Sequence, residues 1–284
     1  MAATAAAGTQ AGLDEDAYRA LYARQYFDRL LEAGARPDGR ALGETRALSV
    51  THGTVTTADS SALVSLGDTT VLACVKLEVA VPSDAAPDCG RIETAVEVSP
   101  LAAPNLRSPA APPLAHTVTE HLARHVNSND CVDARELCIV PRSACWVLRL
   151  DVNVLGADGG VRDAALIAAV SALRTLRLPP VQLNDVGNVE ADGGGAGRAL
   201  TLARLPASVT CGVSRGRVIA DLTAEEEALV DGAVCVTLAD ADTLLGIEKL
   251  GEANTVDMVV LSTCVDFARR RAAEVQDLVM DVEG

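Results

Sequence analysis

Hydrophobic and polar residues follow two different periods along this chain, and the period distinguishes strands from helices. Three runs rich in β-branched residues, 50–55, 62–66 and 70–79, are separated only by short polar segments. Runs of this length and spacing are typical of neighbouring strands joined by tight turns. Residues 50–79 are therefore predicted to form an antiparallel meander.

Other segments carry apolar residues at the spacing of an amphipathic helix. Gly34 is expected to end the first of them, and Pro179 and Pro180 stop a later one because proline cannot continue a helix. The predicted helices are 14–33, 117–127, 162–176 and 254–280.

A glycine-rich segment, 192–197, divides the chain into two halves of similar organisation. In each half a set of strands is followed by a helix, which indicates an α+β fold with two similar lobes. We predict a tail and helix over 1–27, a first lobe over 28–185 and a second lobe over 198–284. The further predicted strands are 146–155, 200–202, 208–213, 217–220, 234–238 and 243–249.

Residues 82–113 hold most of the prolines and show little periodicity. A long segment of this kind is predicted to be an excursion over the surface, where binding residues are often found. Arg91 and Arg107 lie within it and are candidate contacts for RNA or a partner protein.

Composition and charge narrow the possible functions. The chain has 284 residues, 49% of them hydrophobic and 22% charged, which is typical of a globular protein. Aromatic residues make up only 2%, so alanine and valine must fill the core. The net charge of -15 disfavours a self-sufficient nucleic-acid binder, because phosphate contacts dominate the affinity of such proteins.

The chain carries no evident membrane or export signal. No uncharged run approaches the roughly 18 apolar residues of a membrane helix. The first residues lack a basic region, and acidic residues follow at 14–16. The eight cysteines are scattered, which favours buried, reduced thiols in a cytosolic or nuclear protein. We expect no membrane association, secretion or organelle import.

Histidines and cysteines were considered as metal ligands. His121 and His125 are four residues apart on a predicted helix, with His116 nearby, and cysteines recur every seven residues from 131 to 145. No third ligand lies at a convincing spacing from the two histidines, and the cysteines include no paired Cys-x-x-Cys. We therefore expect a solvated helix face and buried thiols, and neither a metal site nor a cofactor.

Several motifs together resemble one known family. Residues 36–40 read RPDGR, 43–46 read GETR and 58–71 read ADSSALVSLGDTTV. With 151–160 and 221–227, these segments resemble an RNase PH-type domain over roughly residues 28–280. The resemblance implies an RNase PH-like (ribosomal protein S5 domain 2-like) fold, with two βαβα lobes and antiparallel or mixed sheets.

Within the family the chain is similar to ring subunits of the RNA exosome. The resemblance implies a six-membered ring of RNase PH-like subunits, topped by S1/KH cap subunits, with RNA threading through the channel to a separate nuclease. It also implies a location in the nucleus, nucleolus and cytoplasm.

Active members of the family cleave RNA from its 3′ end with inorganic phosphate as the nucleophile. Such a site needs arginines and a helix N-terminus for phosphate, and carboxylates that position a metal or protonate the leaving oxygen. Here Asn153 replaces an acid, Val161 replaces a hydroxyl, and 127–130 read NSND where active members place arginines. Asp151 and Asp158 remain as candidates for a vestigial catalytic pair.

These differences favour a catalytically silent protein. No neutral side chain replaces the bidentate phosphate binding of a guanidinium. The predicted function is a non-catalytic structural subunit of the exosome ring, supporting 3′-to-5′ RNA processing and degradation. The alternatives are an active phosphate-dependent 3′-to-5′ exoribonuclease and a plain RNA-binding module. Acids 225–227 indicate a capped turn. Arginines 269–271 indicate an exposed helix face or a rim contact to a neighbouring subunit, with RNA contact as the alternative.

Overall fold

A computed structural model of the chain contains two main β-sheets, of six and four strands, with one helix between them. It describes residues 17–19, 21–102, 111–127, 131–183, 189–191, 197–239, 242–251 and 256–280.

The first sheet is built mainly from the predicted meander. Its strand order is β1-β2-β3-β6-β4, and β5 pairs with β6. All pairs are antiparallel except β4 with β6, which runs parallel. The sheet is therefore mixed. Its strands are β1 (Leu48–His52), β2 (Ser60–Leu66), β3 (Thr69–Ala80), β4 (Arg91–Val98), β5 (Cys138–Val140) and β6 (Ala144–Gly156).

The second sheet is antiparallel throughout, with strand order β12-β11-β13-β14. Its strands are β11 (Ala207–Ser214), β12 (Arg217–Ala220), β13 (Gly232–Leu238) and β14 (Leu244–Leu250). Between the two sheets along the chain lie two small pairs, β7 (Arg177–Leu178) with β10 (Arg198–Ala199) and β8 (Val181–Leu183) with β9 (Val189–Ala191).

The longer helices are α1 (Ala23–Glu32), α2 (Ala111–Val126), α3 (Val161–Thr175) and α5 (Met258–Met280), and α4 (Ala224–Glu227) is a single turn. A 3-10 turn covers Ala134–Leu137. Among the described residues, no helix is both long and apolar enough to cross a bilayer.

Helix α3 forms the centre of the molecule. It packs against β2 and β3 of the first sheet and against β11 of the second. Its residues from 163 to 173 are all buried, and most of them are alanine, valine, leucine or isoleucine. A helix that is apolar on every side must be buried on every side, and small side chains let two sheets approach it closely. The core is thus rich in alanine and valine, as the composition predicted.

Buried polar contacts also join α3 to the second sheet. Asp163 accepts hydrogen bonds from the Ser208 hydroxyl at 2.6 Å and from the backbone N–H of Thr210 at 2.7 Å. Burial raises the pKa of Asp163, although these hydrogen bonds oppose the rise. A buried carboxylate with its acceptors satisfied fixes the relative position of two elements more strictly than apolar packing does.

The α+β class with antiparallel and mixed sheets is confirmed, and four predicted boundaries were wrong. Residues 82–113 are not only a surface excursion, because they contain β4. The prolines of this segment lie outside β4. The sole partner of β4 among the described strands is β6, which lies far along the chain and runs parallel to it. Helix 117–127 begins already at 111 and helix 254–280 only at 258. The strand predicted at 200–202 is the pair 198–199.

The outer parts of the predicted organisation remain predictions. Helix α1 starts at Ala23, and residues 1–16 of the predicted tail and helix lie outside the described residues, as do 192–196 of the glycine-rich linker. The lobe boundaries 28–185 and 198–284 are not tested by these elements.

Candidate anion site at the junction of the lobes

The site begins at the turn that leads into α3. Gly159 and Gly160 have φ angles of +72° and +63°, a conformation that glycine adopts without strain. A Cβ on Gly159 would lie 2.4 Å from the carbonyl oxygen of Leu222, so the second lobe approaches this turn at backbone contact. The N-terminus of α3 therefore faces the second lobe. Gly160, the N-cap residue, has no side chain of its own that could accept an N–H group of the first helical turn.

The N-terminus of a helix attracts anions, because its free N–H groups and dipole present positive charge. In this protein a carboxylate of the same chain already lies there. The backbone N–H of Gly160 donates a hydrogen bond of 2.9 Å to Oε1 of Glu227, at the end of α4. Burial raises the pKa of Glu227, and the hydrogen bond from Gly160 and the nearby arginines partly offset this rise.

Arg36 of the RPDGR motif and Arg46 of the GETR motif are buried in the junction between the lobes. Arg46 contacts both oxygens of Asp221, with Nη2 at 2.6 Å from Oδ1, and also donates to the carbonyls of Asp158, Gly159 and Leu222. Burial opposes the charge of Arg46, but its hydrogen bonds with Asp221 and the negative charges of Asp221, Asp158 and Glu227 together raise its pKa. This arginine is saturated by protein acceptors.

Arg36 has the same structural role. Its side chain is fully buried. Its Nε donates to Oε1 of Glu226 at 2.8 Å, and its Nη2 donates to Oε2 of the same carboxylate. Arg36 also donates to the backbone carbonyls of Ala220 and Asp221. Glu226 in turn completes a capping box with Thr223 at the start of α4. The capped turn predicted at 225–227 is thus confirmed, and it anchors the motif arginines.

Asp221 is the main carboxylate acceptor of Arg46. Its φ is +51°, and its carboxylate contacts the side chains of Arg46 and Arg40. Burial disfavours the ionised form, but hydrogen bonds and charge from Arg46 outweigh burial and lower the pKa of Asp221. The ion pair joins residues 175 positions apart, a contact that local sequence patterns do not reveal.

The two predicted vestigial acids lie in different surroundings. Asp158 follows β6; its Oδ1 accepts a hydrogen bond of 3.2 Å from Ala224 and its Oδ2 lies 3.6 Å from Nη1 of Arg46. Asp151 is an exposed residue within β6, five positions before the strand ends at Gly156. At about 3.3 Å per residue, that is about 17 Å along the strand. The acids therefore do not form a close pair.

One further arginine reaches the mouth of the site. Arg162, the second residue of α3, lines a cleft of about 810 Å³ together with Gly160, Leu222 and Glu227. Its Nη1 lies 3.7 Å from Oε2 of Glu248 on β14. At this distance the two groups attract each other electrostatically, and within the described residues Nη1 of Arg162 is buried without a hydrogen-bond partner.

The remaining predicted residues are dispersed. Arg91 lies on β4 at the edge of the first sheet, is 47% exposed and contacts Glu93 at 2.8 Å. Arg107 and residues 128–130 of the NSND segment lie outside the described residues, and Asn127 follows the end of α2. Of the arginines 269–271, Arg271 is buried and contacts Glu274, so the expectation of a wholly exposed face was wrong.

The histidines are also placed differently from the prediction. His121 and His125 are 1% and 3% exposed, so the expected solvated helix face was wrong. Their face of α2 packs toward β14, where Glu248 lies 3.4 Å from His121. The cysteines behave as expected: all eight are free thiols, and five of them are buried.

Comparison with known proteins places this geometry in a family. The model of the 3′ exoribonuclease family matches in two parts, its domain 1 over residues 44–179 and its domain 2 over residues 204–271. The chain is 32% identical to the exosome complex component Rrp42 of Methanopyrus kandleri over 251 residues, covering 88% of this chain and 92% of that protein. It is 27% identical to the exosome complex component rrp43 of Schizosaccharomyces pombe, covering 89% and 94%.

Solved structures agree. A chain of the Archaeoglobus fulgidus exosome with RNA bound to the active site superposes with a TM-score of 0.75 at 27% identity, covering 89% of this chain and 96% of that one. Rice Rrp46 shares the fold, with a TM-score of 0.62 at 18% identity. The predicted RNase PH-like fold is confirmed, and the chain belongs to the 3′ exoribonuclease family of RNase PH-like proteins.

Proposed function

We propose that this protein is a non-catalytic subunit of an exosome core ring. Its relatives include exosome components, and its fold matches chains of archaeal exosome cores over nearly their whole length. In this role it pairs with other RNase PH-like subunits, carries S1/KH cap subunits and guides RNA through the assembled channel toward a separate nuclease.

The position of Glu227 carries the non-catalytic part of the proposal. Phosphorolysis requires an inorganic phosphate beside the RNA phosphate, and such charge needs preorganised donors. Glu227 already receives the N–H of Gly160 at the helix N-terminus. A phosphate entering there would lose that donor and face a carboxylate instead.

The arginines near the turn cannot compensate for this carboxylate. Arg46 is saturated by Asp221 and by backbone carbonyls. Arg162, which lines the cleft, has its charge shared between Glu227 and Glu248, the latter 3.7 Å away. The separation of Asp151 from Asp158 argues against a metal held between them. An active exoribonuclease is therefore the less favoured function, and a free-standing RNA binder is disfavoured by the net charge of -15.

Subunit type and cellular location extend the proposal. The segments 81–88, 99–101 and 107–108 resemble the eukaryotic ring subunit of the Rrp43 type, and relatives named Rrp42 and rrp43 both match the chain. We propose the Rrp43-type position in the ring, and function in the nucleus, nucleolus and cytoplasm. Arg91 is proposed as an RNA contact of the assembled ring, because its side chain is half exposed on an edge strand.

Assembly is tested by isolating the tagged chain from its own cells and identifying its partners by mass spectrometry. We expect RNase PH-like and S1/KH subunits in stoichiometric amounts. Native mass spectrometry of the purified chain with recombinant ring partners then checks direct association. A stable monomer that ignores these partners would contradict the proposal.

Catalysis is tested separately. The full chain, alone and in the reconstituted ring without the hydrolytic nuclease, is incubated with RNA, orthophosphate and Mg²⁺. We expect no nucleoside diphosphate from this chain. Release of nucleoside diphosphates that the Asp158→Asn variant abolishes would establish the active alternative.

A further inference from the structure

Two histidines and a glutamate meet where α2 of the first lobe packs against β14 of the second. His121 and His125 are one helical turn apart on α2, and Glu248 lies opposite them on β14. One ligand atom of each residue can be chosen so that all three lie within 4.8 Å of one another. These residues have no part in the anion site except through the contact of Arg162 with Glu248.

The two oxygens of Glu248 have different surroundings. Oε1 lies 3.4 Å from Nδ1 of His121 and 3.7 Å from Nε2 of His125, whereas Oε2 lies 3.7 Å from Nη1 of Arg162. Ligand atoms bound to zinc at about 2.1 Å with tetrahedral angles are separated by about 3.4 Å. The two distances from Oε1 are therefore close to the separation that one zinc ion requires, and the ligand atoms of all three residues lie within 4.8 Å of one another.

Burial keeps the histidines in the form that binds metals. Loss of solvent, reinforced by the neighbouring His125, lowers the pKa of His121 to about 4, and burial also lowers the pKa of His125. Burial thus disfavours the protonated form of both rings, and only a neutral imidazole coordinates a metal.

We propose that His121, His125 and Glu248 bind one zinc ion, which clamps α2 of the first lobe to β14 of the second. Two histidines and one carboxylate are a donor set that zinc uses in proteins, with the fourth position left to water. Gly246 makes room for this arrangement, because a Cβ there would lie 3.2 Å from Cε1 of His125.

Two arginines bear on the affinity of this site. Arg124 donates to Oε1 of Glu248, the oxygen that faces both histidines, and its side chain is 57% exposed. Zinc displaces Arg124 into solvent, which costs affinity. Arg162 remains beside Oε2, as the outer partner that orients a ligating carboxylate. Removal of Arg124 is therefore expected to tighten zinc binding.

The test uses the full chain and needs no variant in its first step. Equilibrium dialysis with ZnCl₂ is expected to load one zinc per chain and to raise the unfolding temperature, whereas MgCl₂ leaves it unchanged. With CoCl₂, we expect the intense visible absorption of tetrahedral Co²⁺ without a thiolate charge-transfer band. Such a band, or the absence of stoichiometric zinc, would overturn the proposal, because the ligands would be cysteines or lacking.

Variants then assign the ligands. His125→Gln and Glu248→Gln are each expected to weaken zinc binding by about tenfold or more, as measured by competition with a chelating dye. Arg124→Gln should bind zinc more tightly than the wild type. His116→Gln, on the same helix but 73% exposed, is the matched control and should bind as the wild type does. Equal affinities in all four variants would refute the site, and circular dichroism without metal verifies that each variant folds.

Discussion

The backbone N–H of Gly160 donates to the carboxylate of Glu227 at 2.9 Å, across 67 positions of sequence. Through this bond, the second lobe supplies an acceptor to the first helical turn of the first lobe. The helix is capped by an acid of the same chain in the place where an external anion would otherwise bind.

Removal of this acid should restore anion binding. In Glu227→Ala, the N–H of Gly160 and the guanidinium of Arg162 face the cleft without the competing carboxylate, so we expect orthophosphate to bind about tenfold more tightly than to the wild type. Titration monitored by phosphorus NMR measures the change. Glu225→Ala is the control, because it removes the same charge from the same helical turn at a 64% exposed position. Equal gains in both variants would attribute the effect to net charge alone.

The Arg46–Asp221 ion pair should dominate the stability of the junction. Arg46→Met leaves the buried carboxylate of Asp221 without its main partner, which typically costs about 3–5 kcal/mol of unfolding free energy. Urea denaturation measures the loss. The double variant Arg46→Met/Asp221→Asn should lose less than the sum of the single variants, because the stranded charge is gone.

An exposed pair provides the comparison. Arg91→Ala removes a contact with Glu93 in which both side chains are more than two-fifths exposed, so it should change the unfolding free energy by less than about 1 kcal/mol. A similar loss in Arg91→Ala and Arg46→Met would contradict the assignment of Arg46 to the lobe junction.

Stability should fall in acid through Asp221. Its pKa is lowered in the folded protein from the ordinary value of 3.8. Its contribution is therefore complete above the unfolded-state pKa and is lost as pH falls below about 4 and through the folded-state value. The unfolding free energy of the wild type, measured by urea denaturation, should decrease as the pH is lowered from about 6 to about 2. In Asp221→Asn the decrease should be smaller; an unchanged slope would exclude Asp221 as its source.

Gly159 should tolerate no side chain. A Cβ there would meet the carbonyl oxygen of Leu222 at 2.4 Å, and the residue has a φ of +72°. Gly159→Ala is expected to lower the unfolding free energy by more than about 3 kcal/mol, because it adds a backbone clash to a strained φ angle. Gly216→Ala has a similar φ of +76° but nothing within 4 Å of the added Cβ, so only about 1 kcal/mol is expected. Thermal unfolding of the two variants separates the clash from the strain, and equal losses would show that the close approach of Leu222 is unimportant.

Local patterns predicted much of the fold and little of the site. The meander of β2 and β3 and the apolar helix α3 were predictable because their side-chain periodicity depends on neighbours in sequence. Strand β4 was missed because its partner β6 is parallel and distant. Glu227 was predicted to lie in a capped turn and Asp221 to belong to a family motif, but their contacts with Gly160 and Arg46 depend on how the lobes meet. Glu248 lies 127 positions from His121, and no spacing rule connects the two.

The position of α3 between the sheets has a consequence for synthesis on the ribosome. When residues 161–175 leave the exit tunnel, the strands of the first sheet that pack on one side of the helix have already emerged, but β11 has not. An apolar face then stays in water until at least residue 214 has been translated and has emerged. Nascent chains of this protein should therefore engage chaperones during that interval, and a message truncated before β11 should yield an aggregating product.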